Sequence, residues 1–188
     1  MRSLESYEAK RDFAATPEPR ADLAEAGSPQ LSFVVQKHDA SRLHYDFRLE
    51  WQGVLLSWAV TKGPSADPGQ KRLSVRTEDH PLAYGAFEGT IPEAQYGGGT
   101  VMLWDSGWWE PLGDPDEGLA AGKLKFRLHG ARMKGGWTLV RMRGKPRERA
   151  ENWLLIKERD RFAGRSPDGL TRRHRTSVTT GRAMRAIA

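Results

Sequence analysis

From Leu31 onward, apolar and polar side chains alternate with a period of two, the spacing of a half-buried strand. Leu31–Lys37 reads as a first strand. Residues 42–51 alternate cleanly, with Leu43, Tyr45, Phe47, Leu49 and Trp51 on one face and His44, Asp46, Arg48 and Glu50 on the other. Gln52-Gly53 then reads as a hairpin turn into an apolar strand at Val54–Val60. Thr61–Gln70 holds Gly63, Pro64, Pro68 and Gly69 and reads as a loop. Lys71–Glu78 is the next strand. Asp79–Gly99 carries two prolines and five glycines, an irregular stretch of a length that is often functional in a small domain. Thr100–Asp105 and Gly107–Glu110 predict a bulged strand or a tight pair. Alternation returns at 123–129, with Leu124, Phe126 and Leu128 opposite Lys123, Lys125, Arg127 and His129. Gly135–Arg143 and Asn152–Glu158 are the last strands, joined by the charged loop 144–151.

This pattern predicts an all-β fold, a compact antiparallel β-barrel of about eight strands, with an irregular N-terminal arm and long active-site loops. Helical signals are weak, with a short turn at 3–11 and another within 111–121. Parallel βαβ architecture has no room for its crossover helices. Residues 1–30 are the arm, broken by Pro17 and Pro19 and by a turn signal at 25–29, and are expected on or near the site. The barrel takes 31–160. Residues 161–188 form a basic tail, readable as a flexible solubilising end or as a DNA-contacting extension.

Composition sharpens this division. The 188 residues carry a net charge of +6, and the tail alone accounts for it, with seven Arg against Asp168. The first 160 residues are neutral, so a polyanion argument from bulk charge rests on the tail. Cysteine is absent, which excludes disulfides, zinc–thiolate sites and thiol nucleophiles. No apolar run approaches the ~20 residues of a membrane span, and the N-terminus lacks a secretory apolar core. A cytoplasmic location and no membrane partner are therefore expected.

Three side chains have the chemistry of a metal site. His44 and Asp46 share a strand face, and a turn through Asp39-Ala-Ser41 can return His38 beside them. Two imidazoles and a carboxylate leave coordination positions open for water and substrate. Asp39 is an alternative ligand, and ordinary solvated strand-face residues are the plainer explanation. Arg48 continues the face; a phosphate between it and a cation would satisfy both, as would a simple pair with Asp46 or Glu50. His80, at the mouth of the long loop, can donate a proton or clamp an oxyanion, oriented by Asp79 or Glu78. Tyr84 and Tyr96 are ambiguous, His129 reads as peripheral, and His174 belongs to the tail. Lys62, Lys71, Arg72 and Arg76 can cradle a polyanion or simply be solvated. Gly97-Gly98-Gly99 lacks the Gly-Lys-Ser/Thr and helix of a phosphate loop.

The run Gln36-Lys-His-Asp-Ala-Ser-Arg-Leu-His-Tyr-Asp-Phe-Arg-Leu-Glu50 resembles the 3′-phosphoesterase domain of bacterial DNA ligase D. So do Ser57–Ser65, Glu78–Leu82, Phe87–Pro92, Tyr96–Thr100, Trp104-Asp105, Trp109–Pro111, Leu128–Gly130, Gly136–Leu139 and Asn152–Lys157. Lys10–Phe13 and Thr16–Pro19 are similar to its arm, and the resemblance spans roughly residues 5–162. It implies a manganese-dependent β-barrel that removes 3′-terminal ribonucleotides and 3′-phosphates to leave a 3′-OH in non-homologous end joining. Carried onto this chain, it implies His38, His44 and Asp46 as ligands of Mn2+, other divalent transition metals being alternatives. Arg48, His80 and Tyr84 become the catalytic set. Arg11, Asp12, Lys62 and Arg72 become phosphate contacts, and Gln36 orients the ligand shell, with Asp79 supporting His80. The implied partners are a DNA primer-template with a 3′-ribonucleotide or 3′-phosphate end and a separate repair ligase, polymerase or end-binding protein. Thr61 stands where the family usually has proline. A nucleic-acid-binding or repair-scaffold barrel is the non-catalytic alternative. A non-haem iron oxygenase is the other enzymatic one, because its facial triad uses the same residue types.

Overall fold

A computed structural model describes residues 2–22, 29–144 and 149–188. The turn expected at 25–29 lies outside these apart from Pro29, as do residues 145–148 of the charged loop. In chain order the elements are α1 (Glu5–Glu8), β1 (Leu31–Asp39), β2 (Leu43–Trp51), β3 (Val54–Val60), β4 (Lys71–Arg76), β5 (His80–Pro81), β6 (Gly89–Ile91), β7 (Gly99–Pro111), α2 (Pro115–Ala121), β8 (Lys123–Gly130), β9 (Lys134–Arg141), β10 (Asn152–Lys157) and α3 (Gly169–Arg173).

Eight antiparallel strands close a barrel in the order β1-β2-β3-β4-β10-β9-β8-β7, with β7 returning to β1. Closure leaves these strands without a free edge. Two short strands add to its outside: β5 pairs with β3, and β6 with the start of β7. Both lie in the stretch 79–99 that the alternation leaves irregular, because two or three residues are too short to show a period. The bulge expected in β7 falls where its register against β1 shifts, between Val35 and Gln36. Gln52 and Gly53 both take positive φ, 51° and 80°, the conformation of a two-residue hairpin turn.

The interior is built from the alternate positions that the pattern marks. Phe33, Val35, Tyr45, Phe47, Leu49, Leu56, Trp58 and Val60 meet Phe126, Leu128, Trp137 and Leu155 in one buried cluster. The opposite face of β1–β3 points out of the barrel, yet it is covered. Tyr7 of the arm, Tyr84 of the 3-10 turn Leu82–Ala86 and Val34, Leu55 and Leu103 form a second cluster over it. Covering an outward face with an arm and a loop makes the cleft described below.

Residues 161–188, read from the sequence as a basic tail that is either a flexible end or a DNA-contacting extension, run back along the barrel. Leu170 joins the core cluster, Trp104 Nε1 donates to the His174 carbonyl at 2.8 Å, and the Val178 amide donates to the Leu103 carbonyl at 2.8 Å. The charge pattern concealed these anchors, since one leucine and a few backbone groups carry them. Among the described residues, no helix is long and apolar enough to cross a membrane.

Candidate metal centre

The register of β1 against β2 assembles the site. His38 pairs with His44, Gln36 with Asp46 and Val34 with Arg48, so these side chains share the outward face. Ala59 and Ser57 of β3 stand opposite Asp46 and Arg48, and their small side chains leave room above the strands. Arg11 and Glu18 of the arm, with Glu78, His80, Tyr84, Tyr96 and Gly97 of the 77–98 stretch, wall a cleft of about 260 Å3 over this floor.

One ligand atom from each of His38, His44 and Asp46 falls within 4.8 Å of the others. The ring orientations are set from outside. His38 Nε2 lies 2.8 Å from the Gly97 carbonyl, and His44 Nδ1 lies 2.9 Å from the Arg42 carbonyl. A carbonyl oxygen only accepts, so each of these nitrogens carries the hydrogen. The remaining lone pairs, on His38 Nδ1 and His44 Nε2, both face Asp46 at 3.5 Å. Two lone pairs aimed at a carboxylate repel it unless a proton or cation lies between, and outer carbonyls that fix the tautomer are the usual support of metal-binding imidazoles. The set suits a divalent cation bound by nitrogen and oxygen.

Asp46 is buried, which opposes ionisation, but Arg48, His38 and His44 together hold its carboxyl well below the usual carboxylate range. Burial lowers His44, and hydrogen bonding to Asp46 with its charge more than offsets this, so His44 sits above its ordinary value. Arg48 is 2% exposed; its Nε donates to Gln36 Oε1 at 2.7 Å, Nη1 to Ser57 Oγ at 2.8 Å, and Nη2 lies 3.3 Å from Asp46. Gln36 in turn donates to the Tyr84 and Phe87 carbonyls, tying β1 to the loop.

His80 is buried, and burial with the nearby Arg48 and Arg11 charges pushes it well below its ordinary value, so it is neutral at pH 7. Its Nδ1 lies 2.9 Å from the Glu78 carbonyl and therefore holds the hydrogen. Nε2 keeps its lone pair and lies 3.5 Å from Arg11 Nη2. The Tyr84 ring lies between His80 and Arg48, at 4.7 Å from the imidazole and 4.8 Å from the guanidinium, and burial raises its phenol well above the ordinary value.

The structure thus brings together His38, His44, Asp46, Arg48, His80, Tyr84, Arg11 and Gln36. It does not bring the other expected residues to the cleft. Asp12 is exposed and caps the Ala14 amide. Lys62 is exposed and stands near Asp168. Arg72 donates to the Pro167 carbonyl and to Asp168 Oδ1, both at 2.7 Å, and so clips the C-terminal segment. Asp79 accepts from Arg76 at 2.5 Å rather than from His80; the backbone of Glu78 takes that role. Basic character alone did not reveal which charges would find an internal carboxylate.

Other contributors were not legible in the sequence. Glu18 accepts from Arg11 Nε at 2.9 Å, the Tyr7 ring lies 3.7 Å under the Arg11 guanidinium, and Ser57 bonds Arg48. Lys10 bridges Glu78 and Tyr96, at 3.0 and 3.4 Å. The Arg11 contacts form within the arm, Ser57 meets Arg48 across neighbouring strands, and Lys10 depends on the arm folding over a loop more than 60 positions away.

Comparison with known proteins bears on this arrangement. Residues 36–141 match the family model described as the DNA ligase D 3′-phosphoesterase domain. A multifunctional non-homologous end joining protein LigD of Pseudomonas aeruginosa is 53% identical over 160 residues, 84% of this chain and 19% of that protein. LigD of Mycolicibacterium smegmatis is 39% identical over 174 residues, 88% of this chain and 22% of its own length. The non-homologous end joining DNA repair protein LigD of Mycobacterium tuberculosis H37Rv is 43% identical over 151 residues, 80% and 19% of the two chains. The chain therefore spans about a fifth of these curated relatives.

Proposed function

Because the chain belongs to the DNA ligase D 3′-phosphoesterase domain family, we propose that it is a metal-dependent DNA 3′-end-processing phosphoesterase, acting on 3′-terminal ribonucleotides and 3′-phosphates to leave a 3′-OH. The observation that carries this reading is the pair of fixed imidazole lone pairs facing Asp46, with Arg48 3.3 Å from the same carboxylate. The ionised cleft residues are Arg11 and Arg48 against Glu18, Asp46 and Glu78. They leave the cleft slightly negative by themselves, and a divalent cation makes it positive, the sign that an anionic phosphate needs. The same two-His, one-Asp set would suit non-haem iron, but a guanidinium beside the triad favours a phosphate substrate.

His38, His44 and Asp46 would hold Mn2+, which when bound supplies Lewis-acid stabilisation of charge at the phosphoryl group. Arg48, held rigid by Gln36 and Ser57, offers its outer N–H groups to a nonbridging oxygen without reorganising. Arg11 holds a second oxygen from the arm side. His80, neutral and with its Nε2 lone pair facing Arg11 Nη2 in the cleft, takes the proton of the attacking hydroxyl in place of that contact and returns it to the departing oxygen. That hydroxyl belongs to water or to the 2′-OH of a ribonucleotide whose own 3′ oxygen carries the scissile phosphate, which gives a 2′,3′-cyclic phosphate and releases the nucleoside beyond it through its 5′ oxygen. Tyr84 positions the phosphate against the Arg48 guanidinium. The DNA end and any separate ligase, polymerase or end-binding protein are the partners this role calls for.

The test is a matrix of divalent metals against labelled primer-templates with 3′-ribonucleotide or 3′-phosphate ends, with His44→Ala as control. Mn2+-dependent release of the terminal group by the wild type, lost in His44→Ala, is expected. Tight DNA binding with no end processing under any metal would overturn the enzymatic reading.

A further inference from the structure

The returning C-terminal segment encloses a second cavity, of about 450 Å3, which shares no lining residue with the metal cleft. Arg132 and Lys134 line it from the β8–β9 turn, and Arg165, Arg173 and His174 from the C-terminal side; among the described residues no carboxylate does. Arg132 Nη1 is buried with no hydrogen-bond partner among the described residues, and the charge of Asp105 acts on its guanidinium. Burial and the adjacent Arg132 and Arg173 charges also hold His174 below its ordinary value, as expected where cations crowd together.

Lys134 and Phe162 also line an adjoining groove that carries Arg127 and Arg161, with Asp160 on its wall. Phe162 is exposed and has the Arg161 guanidinium 4.7 Å from its ring. Several positive charges with an exposed aromatic among them match a chain of phosphates bearing bases. A chain of contacts links the cavity to the strand that carries His44 and Asp46. Trp104 donates to the His174 carbonyl and packs edge-on at 5.3 Å against Tyr45, which sits in β2 between His44 and Asp46 with its side chain on the other face.

We propose that the cavity formed by Arg132, Lys134, Arg165 and Arg173 is a second nucleic-acid contact, taking the phosphodiester backbone of a DNA strand apart from the metal cleft. The choice of DNA rests on the proposed function, but the contact is tested without divalent cation, so absent end processing leaves it standing.

The experiment measures binding of a labelled DNA duplex with a recessed 3′ end in EDTA across a salt series. The variant is Lys134→Gln/Arg165→Gln/Arg173→Gln, all three residues being exposed. A charge-matched control, Arg20→Gln/Lys123→Gln/Arg185→Gln, removes exposed cations elsewhere. The cavity variant is expected to bind about tenfold more weakly near 0.1 M salt, with the slope of log K against log salt reduced by about 2–3. The control should change little, and Arg165→Lys/Arg173→Lys, which keeps the charge, should bind like the wild type. Unchanged affinity and slope in the cavity variant would overturn the proposal, as would equal weakening in the control. Displacement of the duplex by polyglutamate at lower phosphate-equivalent concentration than unlabelled DNA would assign the cavity to an acidic peptide instead.

Discussion

His80 shows how far one side chain can depart from its ordinary chemistry. Burial and two guanidiniums keep it neutral, and the Glu78 carbonyl decides which nitrogen holds the hydrogen. A histidine lowered on folding binds fewer protons in the native state than in the unfolded chain. Its contribution is therefore intact above the unfolded value of 6.5 and is lost progressively as pH falls below it. Melting temperature followed from pH 8 to pH 5 should fall more steeply for the wild type than for His80→Gln; parallel curves would refute the assignment. Asp46 works in the same direction at lower pH, because its carboxyl is held down by Arg48 and the two imidazoles. At the metal centre, His44→Ala removes one donor and leaves the barrel interior untouched. Loss of an outer-shell partner costs about 10–100-fold in metal affinity, so loss of a donor should cost at least as much. Titration calorimetry with Mn2+ reads this directly. Arg48→Ala should reduce turnover by about 100–1000-fold, as for removal of a charge-stabilising donor, with Mn2+ affinity much less affected.

Among the elements, the β1–β2 hairpin does most to create the site, and a one-residue slip would turn every ligand into the barrel. Gly99 is where a third strand limits that hairpin. It has φ +137°, and a Cβ there would lie 2.2 Å from the Asp39 carbonyl oxygen. Gly99→Ala should destabilise the fold by well over ~1 kcal/mol, since both backbone and space forbid the methyl group; the urea midpoint measures it. The sequence showed three glycines in a row but not which one a neighbouring strand would crowd. The arm is the other decisive element. Arg11 and Glu18 are buried as a pair, with Glu78 3.4 Å from the guanidinium. Glu18→Ala leaves a buried charge half-compensated and should cost up to ~3 kcal/mol in chemical denaturation. The resemblance of residues 10–19 to the family's arm pointed toward the site, while the salt links of Arg11 to Glu18 and Glu78 were invisible in the sequence.

For the whole molecule, closure of β7 onto β1 brings the strand that carries His38 beside the long loop that holds it through Gly97. The C-terminal segment seals one side of the barrel through Leu170, Trp104 and Arg72. Truncation after residue 160 should therefore lower the melting temperature and expose the Trp104 ring to quenchers, with the metal cleft retained; an unchanged melt would contradict the packing seen here. Strand alternation alone determined the all-β class, the core face and the outward row that ends in His44, Asp46 and Arg48, because a period of two is a local property of the chain. Only the tertiary structure decided that the Gly97 and Arg42 carbonyls fix the two imidazoles, that Arg72, Asp12 and Asp79 meet other partners, and that the basic tail is anchored. Those outcomes depend on which distant carbonyl or carboxylate each polar group meets when the barrel closes, and no sequence spacing encodes that encounter.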